Sequence, residues 1–248
     1  MKISIIIPSR LASTRLPQKP LADIGGKSLI QRVYLQASKV KVAEVIVATD
    51  DMVIYNHVQD FGGTVFMTSP DHQSGTDRVA EVAGQLDSDI IINLQGDEPL
   101  IDPIQIGELI RLMERTEVQI GTQCTKITDL DQLFDYNVVK VVRDDQEKAL
   151  YFSRQAIPAI RDSRYSDWVN KADYYRHIGM YGFKRETLLQ LQHLTQTSYE
   201  KAENLEQLRW LQHGFSIYCS TTNYTSVGVD TPEDLERVRA LVLKETSH

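Results

Sequence analysis

Short runs of β-branched and aliphatic residues punctuate the first hundred positions. They are Ile3-Ser4-Ile5-Ile6-Ile7, Glu44-Val45-Ile46-Val47-Ala48-Thr49, Thr64-Val65-Phe66-Met67 and Asp89-Ile90-Ile91-Ile92-Asn93-Leu94. Runs this short, apolar and lacking polar alternation predict strands buried on both faces, as in a parallel sheet. The stretches between them carry helical periodicity. Ser28 stands as a cap before Leu29, Ile30, Val33, Ala37 and Val40. A second helix follows Asp50 or Asp51, either of which can cap it, and closes at Phe61-Gly62-Gly63. A third runs through Leu86, and residues 103–115 make an amphipathic helix with Ile104, Ile106, Leu109, Ile110 and Leu112. Strand alternating with helix is the pattern of an α/β fold.

Beyond residue 115 the alternation loosens. Residues 119–126, 137–143 and 149–153 read as strands, with Asp144-Asp145 as a turn, so about 119–185 is expected to be a partly antiparallel insertion. Such an insertion suits substrate selection or contact with a second copy. Segment 161–174 is polar and carries no assignable pattern. A strand is expected over 176–183, a helix over 186–191, and one continuous helix over 200–212 with Leu205, Leu208 and Leu211 inward. A strand over 215–220 precedes a last helix to Lys244, capped by Asp230 or Thr231 with Pro232 in its first turn. There is no repeat and no linker, so residues 1–248 are expected to form a single domain carrying the insertion.

Composition narrows the function. Of 248 residues, 42% are hydrophobic and 25% charged, as in an ordinary soluble protein. The net charge of −7 argues against a general nucleic-acid binder. No run approaches the ~18 apolar residues of a membrane span, and no signal-peptide core is present, so a cytoplasmic location is expected. Cys124 and Cys219 are expected to be reduced core thiols. The histidines show no metal-ligand spacing.

Against that acidic background the loop Pro8-Ser9-Arg10-Leu11-Ala12-Ser13-Thr14-Arg15-Leu16-Pro17-Gln18-Lys19-Pro20 stands out. Pro8, Pro17 and Pro20 are expected to interrupt any helix or ladder. Arg10, Arg15 and Lys19 are its charges, and no acidic residue precedes Asp23. In an open α/β sheet, ligands bind beyond the carboxyl ends of the strands, where this loop must lie. A polyphosphate site built from side-chain cations is therefore expected. Residues 68–78 put Ser74, Gly75 and free amides at a helix start, suited either to a ligand or to capping alone. Arg78, one turn inside, has the reach for a base or phosphate. After the fourth strand Gln95-Gly96-Asp97 delivers a carboxylate to the same rim, either a helix cap or a Mg²⁺ ligand. Gly96 allows a tight bend and the close approach of a ligand there.

Taken together, Pro8 to Leu21, Thr68 to Arg78, Asn93 to Leu100, Leu205 to Arg209 and Gly228 to Leu235 resemble the motifs of the 3-deoxy-manno-octulosonate (Kdo) cytidylyltransferases, the CMP-Kdo synthetases. The likeness runs from residue 3 to about residue 242. It implies a nucleotide-diphospho-sugar transferase fold, a mixed and mostly parallel sheet between helices, usually paired as a homodimer. The reaction it implies joins CTP to Kdo, releasing diphosphate and giving CMP-Kdo for lipopolysaccharide assembly. By the same resemblance Arg10, Arg15 and Lys19 would hold the triphosphate beside Pro8 and Ser13. Ser74, Gly75 and Arg78 would face the cytidine, and Asp97 and Asp230 would ligate Mg²⁺. Gln95, Arg154, His177, Glu206 and Gln207 would surround the sugar acid, Arg154 pairing with its carboxylate and His177 bonding a hydroxyl. Gln18 stands where glycine is common, which implies an ordinary φ there, and Ala159 replaces a frequent aromatic.

Rival readings separate on residues. A dinucleotide dehydrogenase needs a Gly-x-Gly-x-x-Gly turn, and residues 8–20 contain no glycine. A glycosyltransferase of similar architecture would show an Asp-x-Asp motif, which Thr49-Asp50-Asp51 is not. The same transfer onto the 8-amino form of the sugar, or a nucleotide-binding regulator without turnover, stays open at this level.

Overall fold

Each aliphatic run near the start of the chain forms a strand, and the strands pair side by side. The computed structural model describes residues 1–12, 15–224 and 227–246, in two units: Met1–Glu108 with the segment from Tyr224 onward, and Leu109–Asn223. The first unit opens with β1 (Ile3–Ser9), α1 (Leu29–Ala37), β2 (Glu44–Thr49) and α2 (Met52–Asp60). It continues with β3 (Thr64–Met67), α3 (Gly75–Gly84) and β4 (Ile90–Asn93), and α4 (Pro103–Glu114) contains the boundary. Its strands run parallel in the order β3–β2–β1–β4, with Ile5 opposite Val45 and Ile92, and Ile46 opposite Thr64. Ile5, Ile6, Ile7, Ile46, Val47, Ile91 and Ile92 are wholly buried, as strands covered on both faces require.

The caps fall where short polar side chains precede apolar periodicity. Ser28 Oγ accepts from Gln31 N at 3.1 Å, and Asp51 Oδ1 accepts from Val53 N at 2.7 Å. Ser74 and Asp77 form a reciprocal capping box at the start of α3. Because Asp51 takes the cap of α2, Asp50 is left for other work.

Pro8 does not end the first ladder. β1 continues to Ser9, with Pro8 opposite Ala48 and Ser9 opposite Thr49. Successive residues of a strand turn their polar groups to opposite neighbours. Leu94 N donates to Ile6 O, so the side on which Pro8 lacks its N–H is the β4 side. Pairing with β4 ends at Ile6 opposite Asn93. The missing donor thus falls where no ladder needs it. The loop beyond, expected to hold no helix, also makes one 3₁₀ turn at Lys19–Leu21. Gln18, just before that turn, has φ 53° and ψ 31°, the left-handed region. The ordinary φ implied by its side chain is therefore wrong. The turn that aims Lys19 keeps the conformation a glycine would take, at a cost of about 1–2 kcal/mol.

The second unit contains β5 (Ile120–Ile127), α5 (Leu130–Phe134), β6 (Lys140–Arg143), β7 (Ala149–Ser153), α6 (Trp168–Lys171) and β8 (Tyr174–Lys184). α7 (Arg185–Leu191), α8 (Ser198–Glu203), α9 (Gln207–Gln212) and β9 (Ile217–Thr221) follow, and α10 (Pro232–Thr246) returns to the first unit. β5 lies antiparallel to β8 and parallel to β9, while β6 is antiparallel to β7 and β8. The pairing of this α/β fold is thus mixed, parallel in the first unit and largely antiparallel in the second. α5 and α6, absent from the sequence reading, enclose a satellite core of Ile127, Leu133, Trp168 and Tyr174. Only Trp168 of residues 161–173 is buried, which is why that stretch shows no period.

The helix expected over 200–212 is two helices. Asn204, at φ 52°, ends α8 in the left-handed conformation that asparagine tolerates better than most residues. Arg209 on α9 then clamps Glu200 on α8 through Nε and a terminal nitrogen, at 2.8 and 2.6 Å. Burial would raise the Glu200 pKa, but the paired guanidinium outweighs it and holds the carboxyl below its usual value. Cys124 and Cys219 are free and buried on neighbouring strands. No helix among the described residues is long and apolar enough to cross a membrane.

Candidate active site

Parallel strands deliver their carboxyl ends to one rim, and the candidate residues of the first unit gather there. Pro8, Arg10, Lys19, Gln95, Gly96 and Asp97 line an open cleft. Gly96 permits its closeness: a Cβ there would lie 2.9 Å from the Pro8 carbonyl oxygen. Its close approach is to the backbone of β1 itself. The segment 228–235 is tied in by Val229 N, which donates to Asp97 O at 2.9 Å. Asp234 then accepts from the amides of Asp230 and Thr231, and Thr231 Oγ1 accepts from Asp234 N. Thr231 and Asp234 therefore cap α10 between them. The side chain of Asp230 is left to face Lys19.

Lys19 Nζ lies 3.0 Å from Asp97 Oδ2 and 3.0 Å from Asp230 Oδ1, and an Arg15 terminal nitrogen lies 3.3 Å from Asp230 Oδ2. Burial works to lower the Lys19 pKa, but Asp97 and then Asp230 outweigh it, and the net shift is upward. One cation thus spans two carboxylates from separate segments. That donor set fits Mg²⁺, which commonly takes one or two carboxylates and completes its shell with phosphate and water oxygens.

Arg10 donates to Gln73 O at 3.2 Å, linking the first loop to residues 68–76. Ser74 and Gly75 open α3, and Gly75 faces the Pro8 ring. Arg78 departs from expectation. Its guanidinium is wholly buried, pairing with Asp50 Oδ2 at 2.8 Å and contacting Thr68 Oγ1, instead of pointing outward. It pins the ends of β2 and β3 beneath the loop. Ser13 lies outside the described residues.

In the second unit Arg154 follows β7. Its guanidinium donates to the carbonyls of Glu203, Tyr136 and Asn204 at 2.7, 3.0 and 3.3 Å, using three of the five donors an arginine has. Glu206 and Gln207 begin α9 immediately after the Asn204 break. His177 on β8 lies against the rings of Phe152 and Tyr181, with centroids 4.9 and 5.3 Å away. Burial pushes its pKa down to about 3, so it is neutral at physiological pH. Its Nε2 is 3.0 Å from Thr122 Oγ1, which also sits within 3.0 Å of two carbonyls. A hydroxyl has one proton, which goes to a carbonyl, so the imidazole N–H donates to Thr122. The sequence offers Asp50 only as a helix cap and gives no sign of its pairing with Arg78, nor of the roles of Thr122, Lys140 and Glu203, because each meets a partner distant in the chain.

The cytidylyltransferase family model matches residues 4–217. The 3-deoxy-manno-octulosonate cytidylyltransferase of Geotalea uraniireducens is 50% identical over 246 residues, covering 96% of this chain and 98% of that protein. The chain belongs to the 3-deoxy-manno-octulosonate cytidylyltransferase family. It is thereby a nucleotidyltransferase. The family member of Parabacteroides distasonis is 44% identical over 248 residues, covering 98% of both chains. A solved CMP:2-keto-3-deoxy-manno-octonic acid synthetase, complexed with CTP, superposes with a TM-score of 0.92 at 43% identity, over 99% of this chain and all of that one. A 4-diphosphocytidyl-2C-methyl-D-erythritol synthase from Anaerococcus prevotii, at 14% identity and a TM-score of 0.64, shares the fold alone.

Proposed function

We propose that this cytidylyltransferase joins CTP to 3-deoxy-manno-octulosonate, releasing diphosphate and forming CMP-Kdo for lipopolysaccharide assembly. The observation that carries the reading is the pair Asp97 and Asp230 converging on Lys19 at the carboxyl edge of a parallel sheet. Full-length similarity to relatives named for this reaction supports it. Neither the 8-amino sugar nor a regulator without turnover is favoured by those names.

The anomeric hydroxyl oxygen of the sugar would bond to the α-phosphorus as the bond from that phosphorus to diphosphate breaks, the hydroxyl proton passing to water. Such transfers depend mainly on positioning and on stabilising charge. Arg10, Arg15 and Lys19 would neutralise the triphosphate, and the last two would meet charge building on the departing diphosphate. Ser74 and Gly75 would meet the nucleoside through the start of α3, with Arg78 supporting that loop from below. Asp97 and Asp230 would hold Mg²⁺, which when bound supplies further charge neutralisation at the phosphates. On the sugar side, Arg154 would bind the carboxylate with the donors its carbonyl contacts leave over, while Gln95, Glu206 and Gln207 bond hydroxyls. His177, with a pKa of about 3, is too weak a base for the hydroxyl proton and would serve as a hydrogen-bonding group. The enzyme would act in the cytoplasm as a homodimer.

Diphosphate release measured across four nucleoside triphosphates, with Kdo and its 8-amino analogue side by side and with or without Mg²⁺, tests the reading. Turnover should be highest with CTP, Kdo and Mg²⁺ together. Preference for another nucleotide or sugar would redirect the assignment, turnover unchanged by chelation would remove the metal, and no turnover would favour a regulator.

A further inference from the structure

Two segments of the proposed sugar site hang from one carboxylate in the second unit. Glu203 Oε1 accepts from Ser153 Oγ at 2.6 Å, and its Oε2 accepts from Arg154 N at 2.9 Å. The carbonyl of the same residue accepts from Arg154 Nε at 2.7 Å. Arg154 is thus held at both its amide and its guanidinium by a single residue. Glu203 is also the last residue of α8, directly before the left-handed Asn204 and the Glu206-Gln207 start of α9. From the other side, Lys140 Nζ donates to Arg154 O at 2.5 Å, and to the carbonyls of Asp135 and Val138. Lys140 is buried, and burial lowers its pKa.

We propose that Glu203 is a positioning residue for the sugar-acid substrate, fixing Arg154 and the Glu206-Gln207 segment as one rigid constellation. The proposal rests on the reading of Arg154 as the carboxylate partner. The carboxylate is needed because both of its oxygens accept hydrogen bonds. A glutamine offers one oxygen, and its amide N–H groups oppose either the Arg154 amide or the Ser153 hydroxyl. Ser153 Oγ already accepts from Gln155 N at 3.0 Å, so its own proton belongs to Glu203. The carboxylate fixes the Ser153-Arg154 backbone against the end of α8, which sets where the guanidinium meets the carbonyls of Glu203 and Asn204; an apolar residue of similar length would leave that backbone untied.

The test is steady-state kinetics on Glu203→Gln and Arg154→Ala, singly and combined, with KM for Kdo and for CTP measured separately. A hydrogen bond to a charged group contributes about 1.5–3 kcal/mol, or roughly 10- to 150-fold. Glu203→Gln is expected to raise the Kdo KM toward the lower end of that range and leave the CTP KM within about twofold. In the Arg154→Ala background its effect should shrink to the part carried by the Glu206-Gln207 segment, because residues acting through one another are not additive. Equal rises in both KM values, full additivity, or an unchanged Kdo KM would overturn the proposal. An unchanged Kdo KM in Arg154→Ala would instead overturn the reading of Arg154, and the proposal with it. If Glu203→Gln does not fold, Ser153→Ala removes one donor to the carboxylate and should give the same split at smaller size, while no split would overturn the proposal.

Discussion

Replacing Gly96 with alanine would drive a wedge between β1 and the turn after β4. The added Cβ would lie 2.9 Å from the Pro8 carbonyl oxygen, 3.5 Å from Ile7 Cγ2 and 3.8 Å from Ile30 Cδ1. The nearest atom is backbone, so no rotamer change relieves the contact. Ordinary contact begins at 3.4 Å, so the chains must part by about 0.5 Å. Overpacking of this kind costs about 1–3 kcal/mol. At this chain length that lowers Tm by roughly 2–12 °C. The activity should suffer more than the fold. Asp97 is the next residue, and its 3.0 Å contact with Lys19 depends on where that turn sits. A misplacement of ~1 Å at a reacting centre can cost about 100-fold, so turnover is expected to fall on the order of tenfold. Scanning fluorimetry and diphosphate release measure the two effects. Gly75→Ala is the internal control for stability, since its Cβ would be 3.3 Å from Pro8 Cγ, a ring carbon that can pucker away. If Gly96→Ala matches Gly75→Ala in Tm and turns over normally, the close approach does not position the carboxylate.

Asp97→Asn and Asp230→Asn should each lower turnover by about 100-fold or more with little change in Tm, and near-normal activity would remove that residue from the metal role. Asp50→Ala strands the buried Arg78 guanidinium and should cost about 3–5 kcal/mol, read as a lower urea midpoint at unchanged m. The His177 pKa is about 3 when folded against 6.5 as a free group, so the unfolded chain binds the extra proton between those values. Stability from this residue is present above pH 6.5 and lost as pH falls toward 3, at up to ~1.4 kcal/mol per pH unit. His177→Asn should flatten that slope in urea titrations, and an unchanged slope would contradict the burial.

The strand-and-helix order of the first unit was legible because each element carries its own signal. Ile5 to Ile7 and Ile90 to Ile92 must be buried on both faces, and Ser28, Asp51 and Ser74 cap helices from positions next to the apolar periodicity they start. The cationic loop and the Asp97 and Asp230 segments were also legible, since charge and glycine content are local properties. The failures lay where a distant contact decides. Pro8 stays in a strand because β4 has already turned away on the side of its missing N–H. Gln18 accepts a left-handed φ because the following 3₁₀ turn carries Lys19 to two carboxylates. Asn204 splits a helix whose leucine spacing looked continuous, and the Glu200–Arg209 clamp fixes the pieces.

The sequence by itself determined the fold class, the cationic loop and the family, because periodicity, composition and motif spacing are written along the chain. Tertiary structure alone decided that Arg78 turns inward to Asp50, that Lys19 bridges Asp97 and Asp230, and that Glu203 holds Arg154. The reason is geometric. A hydrogen bond or ion pair depends on side chains brought within about 3 Å by the fold, and residues 28, 78, 211 or 49 positions apart carry no local sign of that meeting.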